Sequence, residues 1–205
     1  MKRLLQGDVG SGKTIVAAAA VTATIKNNKQ AALMAPTEVL AEQHLTSFKK
    51  YLEYFDVDIH LLTSSVKDRE DIYEIIDRGD PVLIIGTHAL IQDKVNFNNL
   101  GLAIIDEQQR FGVEQRKKLV DNDDFTPHQL VMTATPIPRT TALAIYGDLE
   151  LSVIDELPPG RKKIKSRVLS GGKRDNKEVY EIAYEHLKND SQIFVVCPYI
   201  EESEN

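Results

Sequence analysis

The chain has 205 residues, 42% of them hydrophobic and 27% charged, with 25 Lys and Arg against 31 Asp and Glu for a net charge of −6. A chain of this size buries about 70% of its unfolded surface and needs no disulfide to hold a core; its one cysteine, Cys197, cannot form an internal bridge, which excludes a secreted disulfide scaffold. The acidic balance excludes a simple basic nucleic-acid coat, and the best apolar run, the 11 residues 15–25, is well short of the ~18 a membrane span requires.

Strands are predicted at the short apolar runs 3–6, 31–35, 57–62, 82–86, 102–105, 129–133 and 193–196. Helices are predicted over 13–26, 38–54, 66–78, 113–120, 139–146 and 176–188. This alternation reads as βαβ units, an α/β fold with a parallel sheet and helices on both faces. Val82-Leu83-Ile84-Ile85 and Leu102-Ala103-Ile104-Ile105 do not alternate in polarity, as expected of strands buried on both sides.

The first strand runs into Gly7-Asp8-Val9-Gly10-Ser11-Gly12-Lys13-Thr14, a match to G-x-x-x-x-G-K-[ST] followed by an Ala-rich helix. The glycines let backbone wrap an anion with no Cβ in the way, and the amides and helix N-terminus aim positive charge at phosphates. Lys13 is expected on the β/γ-phosphates and the Thr14 hydroxyl on Mg²⁺. A Gly-rich turn with a solvated lysine is the bland alternative.

The second strand ends in Ala35-Pro36-Thr37-Glu38 and the fourth in Gly86-Thr87-His88. Both put hydroxyls and free amides where open α/β sheets bind ligands, in forms that contact phosphates without reading bases. Ordinary helix capping by threonine is the alternative. The strand at 102–105 ends in Asp106-Glu107. Asp106 would hold Mg²⁺ and Glu107 would polarise the attacking water, unless the acids only cap the next helix. The sixth strand ends in Thr133-Ala134-Thr135-Pro136.

Pro158-Pro159-Gly160 ends regular structure. Residues 161–177 then hold eight basic residues against one acid, Asp175, a stretch that either lies along DNA or is a solvated linker. Aromatics are only 6% of the chain and tryptophan is absent, so base stacking is poorly supported and backbone tracking is favoured.

These motifs together resemble superfamily 2 helicases. Gly10–Thr14 looks like motif I, Ala35-Pro36-Thr37-Glu38 like motif Ia, Gly86-Thr87-His88 like motif Ib, Asp106-Glu107-Gln108-Gln109 like motif II and Thr133-Ala134-Thr135 like motif III. The closest resemblance is to the bacterial RecG family, ATP-dependent DNA helicases of stalled forks and branched DNA. It is carried most specifically by the runs 86–92, 110–113, 132–139, 146–149, 155–161 and 196–203. Gln109 stands where RecG proteins usually have histidine; glutamine occurs there in transcription-repair coupling factors, which share the run 133–139. Leu157-Pro158-Pro159-Gly160-Arg161 and the 197–202 run favour RecG.

The resemblance implies a RecA-like ATP-binding domain over 1–157, a basic linker over 158–175, and the first helix and strand of a second RecA-like domain over 176–205. It implies ATP and Mg²⁺ as cofactors and branched or forked DNA as partner, with Lys13, Asp106, Glu107 and Gln109 catalytic. Pro36, Thr37, Glu38, Gly86, Thr87 and His88 would contact DNA, and Thr133, Ala134 and Thr135 would couple the two activities. It further implies a wedge domain and a second motor domain elsewhere in the polypeptide, near-inactivity of this stretch without the second motor, and a cytoplasmic, nucleoid-associated bacterial setting. The rivals are a transcription-repair coupling factor motor and a regulatory nucleotide switch. Against the switch stand Thr-Ala-Thr, Gly-Thr-His and the lack of an Asn-Lys-x-Asp guanine-reading stretch.

Overall fold

The computed structural model describes residues 1–107, 119, 126–135, 149–156, 164, 166–169, 173–189 and 191–196. The chain divides into two units, Met1–Arg161 and Lys162–Asn205.

In the first unit β1 (Lys2–Gly7) leads into α1 (Lys13–Lys26), β2 (Gln30–Met34) into α2 (Glu38–Tyr51), and β3 (Asp58–Leu62) into α3 (Glu70–Arg78). Then come β4 (Val82–Gly86), a 3₁₀ turn (His88–Ile91), β5 (Leu100–Asp106), β6 (His128–Thr133) and β7 (Glu150–Ile154). The seven strands among the described residues form one parallel sheet in the order β3-β4-β2-β5-β6-β1-β7. This is the α/β architecture expected from the alternation of runs.

Every residue of β2 and β4 is buried. Alternate residues feed two cores: Val82 and Ile84 pack with Leu62, Ile72 and Ile76, whereas Leu83 and Ile85 pack with Ala17, Val21 and Phe48. On α1 the buried positions are Ala17, Ala18, Val21 and Ile25, one face at helical spacing. Gln30 is fully buried, and both ends of its amide are satisfied: Nε2 donates to the Ile76 carbonyl at 2.8 Å and Oε1 accepts from the Asn99 amide at 3.0 Å.

Several boundaries differ from expectation for local reasons. α3 starts at Glu70 rather than 66, because Arg69 folds back, Nε donating to the Val66 carbonyl at 2.7 Å, and its guanidinium also holds the Ser64 carbonyl. Those contacts tie residues 64–69 into a turn. α2 stops at Tyr51, with Leu52 as its C-cap, rather than at 54. β7 is absent from the predicted strands. It is the sheet's edge strand, and Glu-Leu-Ser-Val-Ile mixes polar and apolar residues. Arg3 of β1 anchors it by donating to Ser152 Oγ at 2.6 Å and by an ion pair with Glu150.

In the second unit α4 (Lys173–Lys188) matches the predicted helix and begins three residues earlier. Arg167 pairs with Glu178 at 2.6 Å, and Lys177 with Glu181 at 3.7 Å. The strand expected at 193–196 is not formed, and Phe194, Val195 and Val196 are exposed. A strand is made by pairing, and this apolar run has no paired neighbour among the described residues. The helices expected at 113–120 and 139–146 lie outside the described residues, apart from Leu119, as do Gln109, the Pro-Pro-Gly break and Cys197.

Candidate functional site

β1, β6 and β5 lie side by side, so the turns after them meet at one end of the sheet. The turn after β1 needs its glycines. Gly10 and Gly12 sit at φ 78° and 95°, the left-handed region that residues with a Cβ rarely adopt. At Gly7 a Cβ would come within 2.5 Å of Ser11 Oγ and 3.1 Å of Ile154 Cβ. The loop closes with the Ser11 amide on the Asp8 carbonyl at 3.1 Å, and the Val9 amide donates to Asp8 Oδ1 at 2.7 Å.

Lys13 opens α1 behind Gly12, which carries no side chain to cap the helix. The first amides of α1 therefore face the loop. Lys13 Nζ lies on the loop carbonyls of Gly7 at 2.7 Å and Asp8 at 2.9 Å. Burial pushes this ammonium below its usual value, against the opposing fields of Asp106, Glu107 and Asp8. Ser11 Oγ is buried with no hydrogen-bond partner, a cost of about 1–3 kcal/mol unless something satisfies it.

Asp106 ends β5, and Glu107 takes φ 49°. A non-glycine residue held there costs on the order of 1–3 kcal/mol. Two bonds to the β6 strand and its turn hold it: its amide donates to the Met132 carbonyl at 3.0 Å, and its Oε1 accepts from the Ala134 amide at 3.3 Å. Thr133, buried at the end of β6, stiffens this turn by accepting the Thr135 amide at 3.1 Å. The acidic pair and the Thr-Ala-Thr turn, 26 residues apart in sequence counted from Glu107 to Thr133, are therefore one hydrogen-bonded unit.

A cavity of about 270 Å³ collects these groups; Gly10, Lys13, Thr14, Asp106, Glu107 and Ala134 line it. Among the described residues no cluster of three or more His, Cys, Asp or Glu forms a dedicated metal cage. The oxygen donors lining the cavity instead include the Thr14 hydroxyl and the Asp106 and Glu107 carboxylates, hard oxygens that suit Mg²⁺ held jointly with phosphate oxygens. The partnerless Ser11 hydroxyl, the glycine-rich loop and the lysine beside it fit a polyphosphate.

One residue in this cavity was not singled out from sequence. His44, on α2, places Nε2 2.7 Å from Asp106 Oδ2, with both side chains largely buried. The only trace of it in sequence is its place seven residues after the Thr37 cap, two turns along the same helix face.

The other candidates occupy the far half of the sheet, after the neighbouring strands β2 and β4. Thr37 is exposed and caps α2, its Oγ1 accepting the Leu40 amide at 3.3 Å. Glu38 Oε1 accepts the Ser65 amide at 3.2 Å, tying the start of α2 to the turn after β3. Pro36, just before the cap, is half-buried. At Gly86 a Cβ would lie 2.2 Å from the Leu62 carbonyl oxygen, and Thr87 is buried. Of the Gly86-Thr87-His88 trio only His88 faces solvent.

Residues 2–144 match the family described as DEAD/DEAH box helicase. Over its whole length the chain is 51% identical to the ATP-dependent DNA helicase RecG of Aquifex aeolicus, covering 26% of that protein. It is likewise 51% identical to the RecG of Bacillus subtilis, covering 30% of it. The chain thus spans under a third of the length of these relatives. Among solved structures, RecG bound to a three-way DNA junction superposes with a TM-score of 0.75 at 42% identity, over 92% of this chain and 25% of that one. The helicase domain of Pyrococcus furiosus Hef superposes over 76% of this chain and 35% of that one with a TM-score of 0.58 at 19% identity, a likeness of fold alone. The sheet and its helices are thus RecA-like.

Proposed function

The chain belongs to the DEAD/DEAH box helicase family, and from that premise we propose that it is the ATP-binding motor domain of a RecG-type DNA helicase that remodels branched DNA. The observation that supports this reading is the convergence of Lys13, Thr14, Asp106, Glu107 and Ala134 on one cavity. The RecG relatives and the junction-bound RecG structure favour this motor over that of a transcription-repair coupling factor.

In this reading the 7–12 loop amides and Lys13 bind the β- and γ-phosphates, while Thr14 and Asp106 hold Mg²⁺. Bound there, Mg²⁺ neutralises charge on the phosphates. Glu107 takes a proton from the attacking water as its oxygen bonds to the γ-phosphorus and the bond to the β-phosphate oxygen breaks, releasing ADP and phosphate. The Glu107–Ala134 bond passes a change at the γ-phosphate to the turn after β6. Pro36, Thr37, Glu38, Gly86, Thr87 and His88 form the half of the sheet assigned to the DNA backbone, with Gly86 and Thr87 shaping the turn and His88 and Thr37 at the surface. The proposal includes Gln109 as a catalytic-site residue, the 1–157 motor, the 158–175 linker and a second motor beginning at 176. A wedge domain and the rest of the second motor complete the polypeptide, which works in the bacterial cytoplasm on nucleoid DNA.

The test is calorimetric titration with Mg²⁺-ADP. Lys13→Ala removes a charge-assisted contact of about 1.5–3 kcal/mol, so affinity is expected to fall roughly 10- to 150-fold. Equal affinity for the two proteins sinks the phosphate-loop assignment.

A further inference from the structure

The sequence motifs account for the phosphate loop, the acidic pair and the Thr-Ala-Thr turn, but not for why α2 sends a buried imidazole into the same cavity. We propose that His44 is a positioning residue: it holds the Asp106 carboxylate in the orientation that receives the metal. The inference rests on the nucleotide reading above.

A carboxylate only accepts, so His44 Nε2 carries the hydrogen in this 2.7 Å contact with Oδ2. The other carboxylate oxygen, Oδ1, is then the one left to face an ion. A free aspartate rotates about two side-chain bonds, and fixing it by a single short bond removes that freedom before the ion arrives. The imidazole is itself fixed. Its ring meets Phe48, one turn further along α2, edge to face at 6.3 Å between centroids, and Phe48 is fully buried. The side chains of His44 and Asp106 are 11% and 14% exposed, so water competes weakly for the bond. Hydrogen-bond partners of metal-ligating side chains, carboxylates included, act in this way elsewhere, and their loss typically costs about 10- to 100-fold in metal affinity.

The placement has a second consequence. α2 is capped by Thr37 and carries Glu38 at its first position, and its second turn carries His44. A single rigid helix thus links the half of the sheet assigned to DNA with the carboxylate assigned to the metal. A shift of α2 moves Asp106 through one hydrogen bond.

The experiment loads the chain with ADP and titrates Mn²⁺, read by its electron paramagnetic resonance signal. His44→Leu fills the space without a donor, and His44→Gln keeps an N–H donor. Leucine is expected to weaken Mn²⁺ binding about 10- to 100-fold, with metal-free ADP binding unchanged, and glutamine to restore most of the loss. Should the leucine variant fail to fold, His44→Asn, whose shorter amide falls back from Asp106, takes its place with the same expectation. Wild-type Mn²⁺ affinity in leucine or asparagine overturns the proposal, as does a glutamine variant as weak as leucine, which would make the role one of packing. In the unaltered chain, nitrogen chemical shifts of His44 should report a hydrogen on Nε2; a hydrogen on Nδ1 alone also overturns it. Failure of the wild-type chain to bind Mn²⁺ with ADP brings down the nucleotide reading itself, whereas normal wild-type binding with no loss in the leucine or asparagine variant brings down this inference alone.

Discussion

The two halves of the sheet handle their strand ends differently. After β1, β6 and β5 the turns converge: glycine backbone, a lysine, two carboxylates and a threonine-rich turn face one cavity, and a buried hydroxyl and a strained glutamate remain there. After β2 and β4 the equivalent polar residues are absorbed by the fold. Thr37 caps a helix, Glu38 ties down a neighbouring turn, Gly86 makes room for the Leu62 carbonyl, and Thr87 is buried. The first half keeps one unsatisfied hydroxyl, on Ser11, and a lysine held by loop carbonyls, both suited to a compact anionic ligand. The second presents a surface, as suits a long polyanion that brings its own hydration and is bound by many small contacts.

The largest effect that tests this contrast is on turnover. In a protein carrying the complete motor, Glu107→Gln should keep nucleotide binding and lose hydrolysis about 10²- to 10⁴-fold, because an amide takes no proton. It keeps an oxygen for the Ala134 amide, so the turn after β6 should hold its shape. Single-turnover hydrolysis measured beside ADP affinity separates the two. Undiminished hydrolysis would show that another group is the base.

A pair of glycine variants breaks the comparison at the level of stability. At Gly86 the obstacle to a side chain is backbone, the Leu62 oxygen at 2.2 Å, in the register that pairs β3 with β4. Gly86→Ala should destabilise by about 1–3 kcal/mol and leave ADP binding intact. At Gly12 nothing lies nearer than 3.6 Å to an added Cβ, but φ is 95°. Gly12→Ala should cost about 1–2 kcal/mol of backbone strain and also weaken ADP binding, since relaxing φ re-aims the loop amides. Thermal melts with and without ADP distinguish them. Loss of ADP binding in a folded Gly86→Ala variant would join the two halves into one site.

The sequence made the first half legible because its chemistry is local. Eight consecutive residues specify the loop, and Asp106-Glu107 ends a fully apolar strand. The Ala-rich stretch behind the loop located α1 to the residue, and the unbroken apolar run did the same for β4. Long-range events were not legible. His44 meets Asp106 across 62 residues, and only the β2–β5 pairing brings α2 over the end of β5. β7 was missed because edge strands need not be apolar on both faces, and the run 193–196 was over-read because apolar composition alone does not supply a pairing partner. For the residues proposed to contact DNA the sequence could not separate capping from contact, since threonine at the end of a parallel strand can serve as either.

Thr37 is where that ambiguity can be resolved, with the smallest effects. Its Oγ1 accepts the Leu40 amide at 3.3 Å, which uses a lone pair and leaves the hydroxyl hydrogen free to donate to a phosphate. Thr37→Ala removes both functions, costing about 0.5–2 kcal/mol of stability through the cap and, if the hydroxyl meets DNA, up to about tenfold in affinity. Thr37→Asp keeps a capping oxygen and favours the helix N-terminus, but it offers no donor and sets a negative charge against the backbone. Thermal stability and binding to a forked oligonucleotide should therefore part company: aspartate restores the melting temperature lost in alanine, while its DNA affinity falls below that of alanine and recovers partly with added salt as the repulsion is screened. If instead affinity follows melting temperature through wild type, aspartate and alanine alike, Thr37 is a helix cap alone, and the DNA surface of this half of the sheet has to be sought at His88 and the turn after β3.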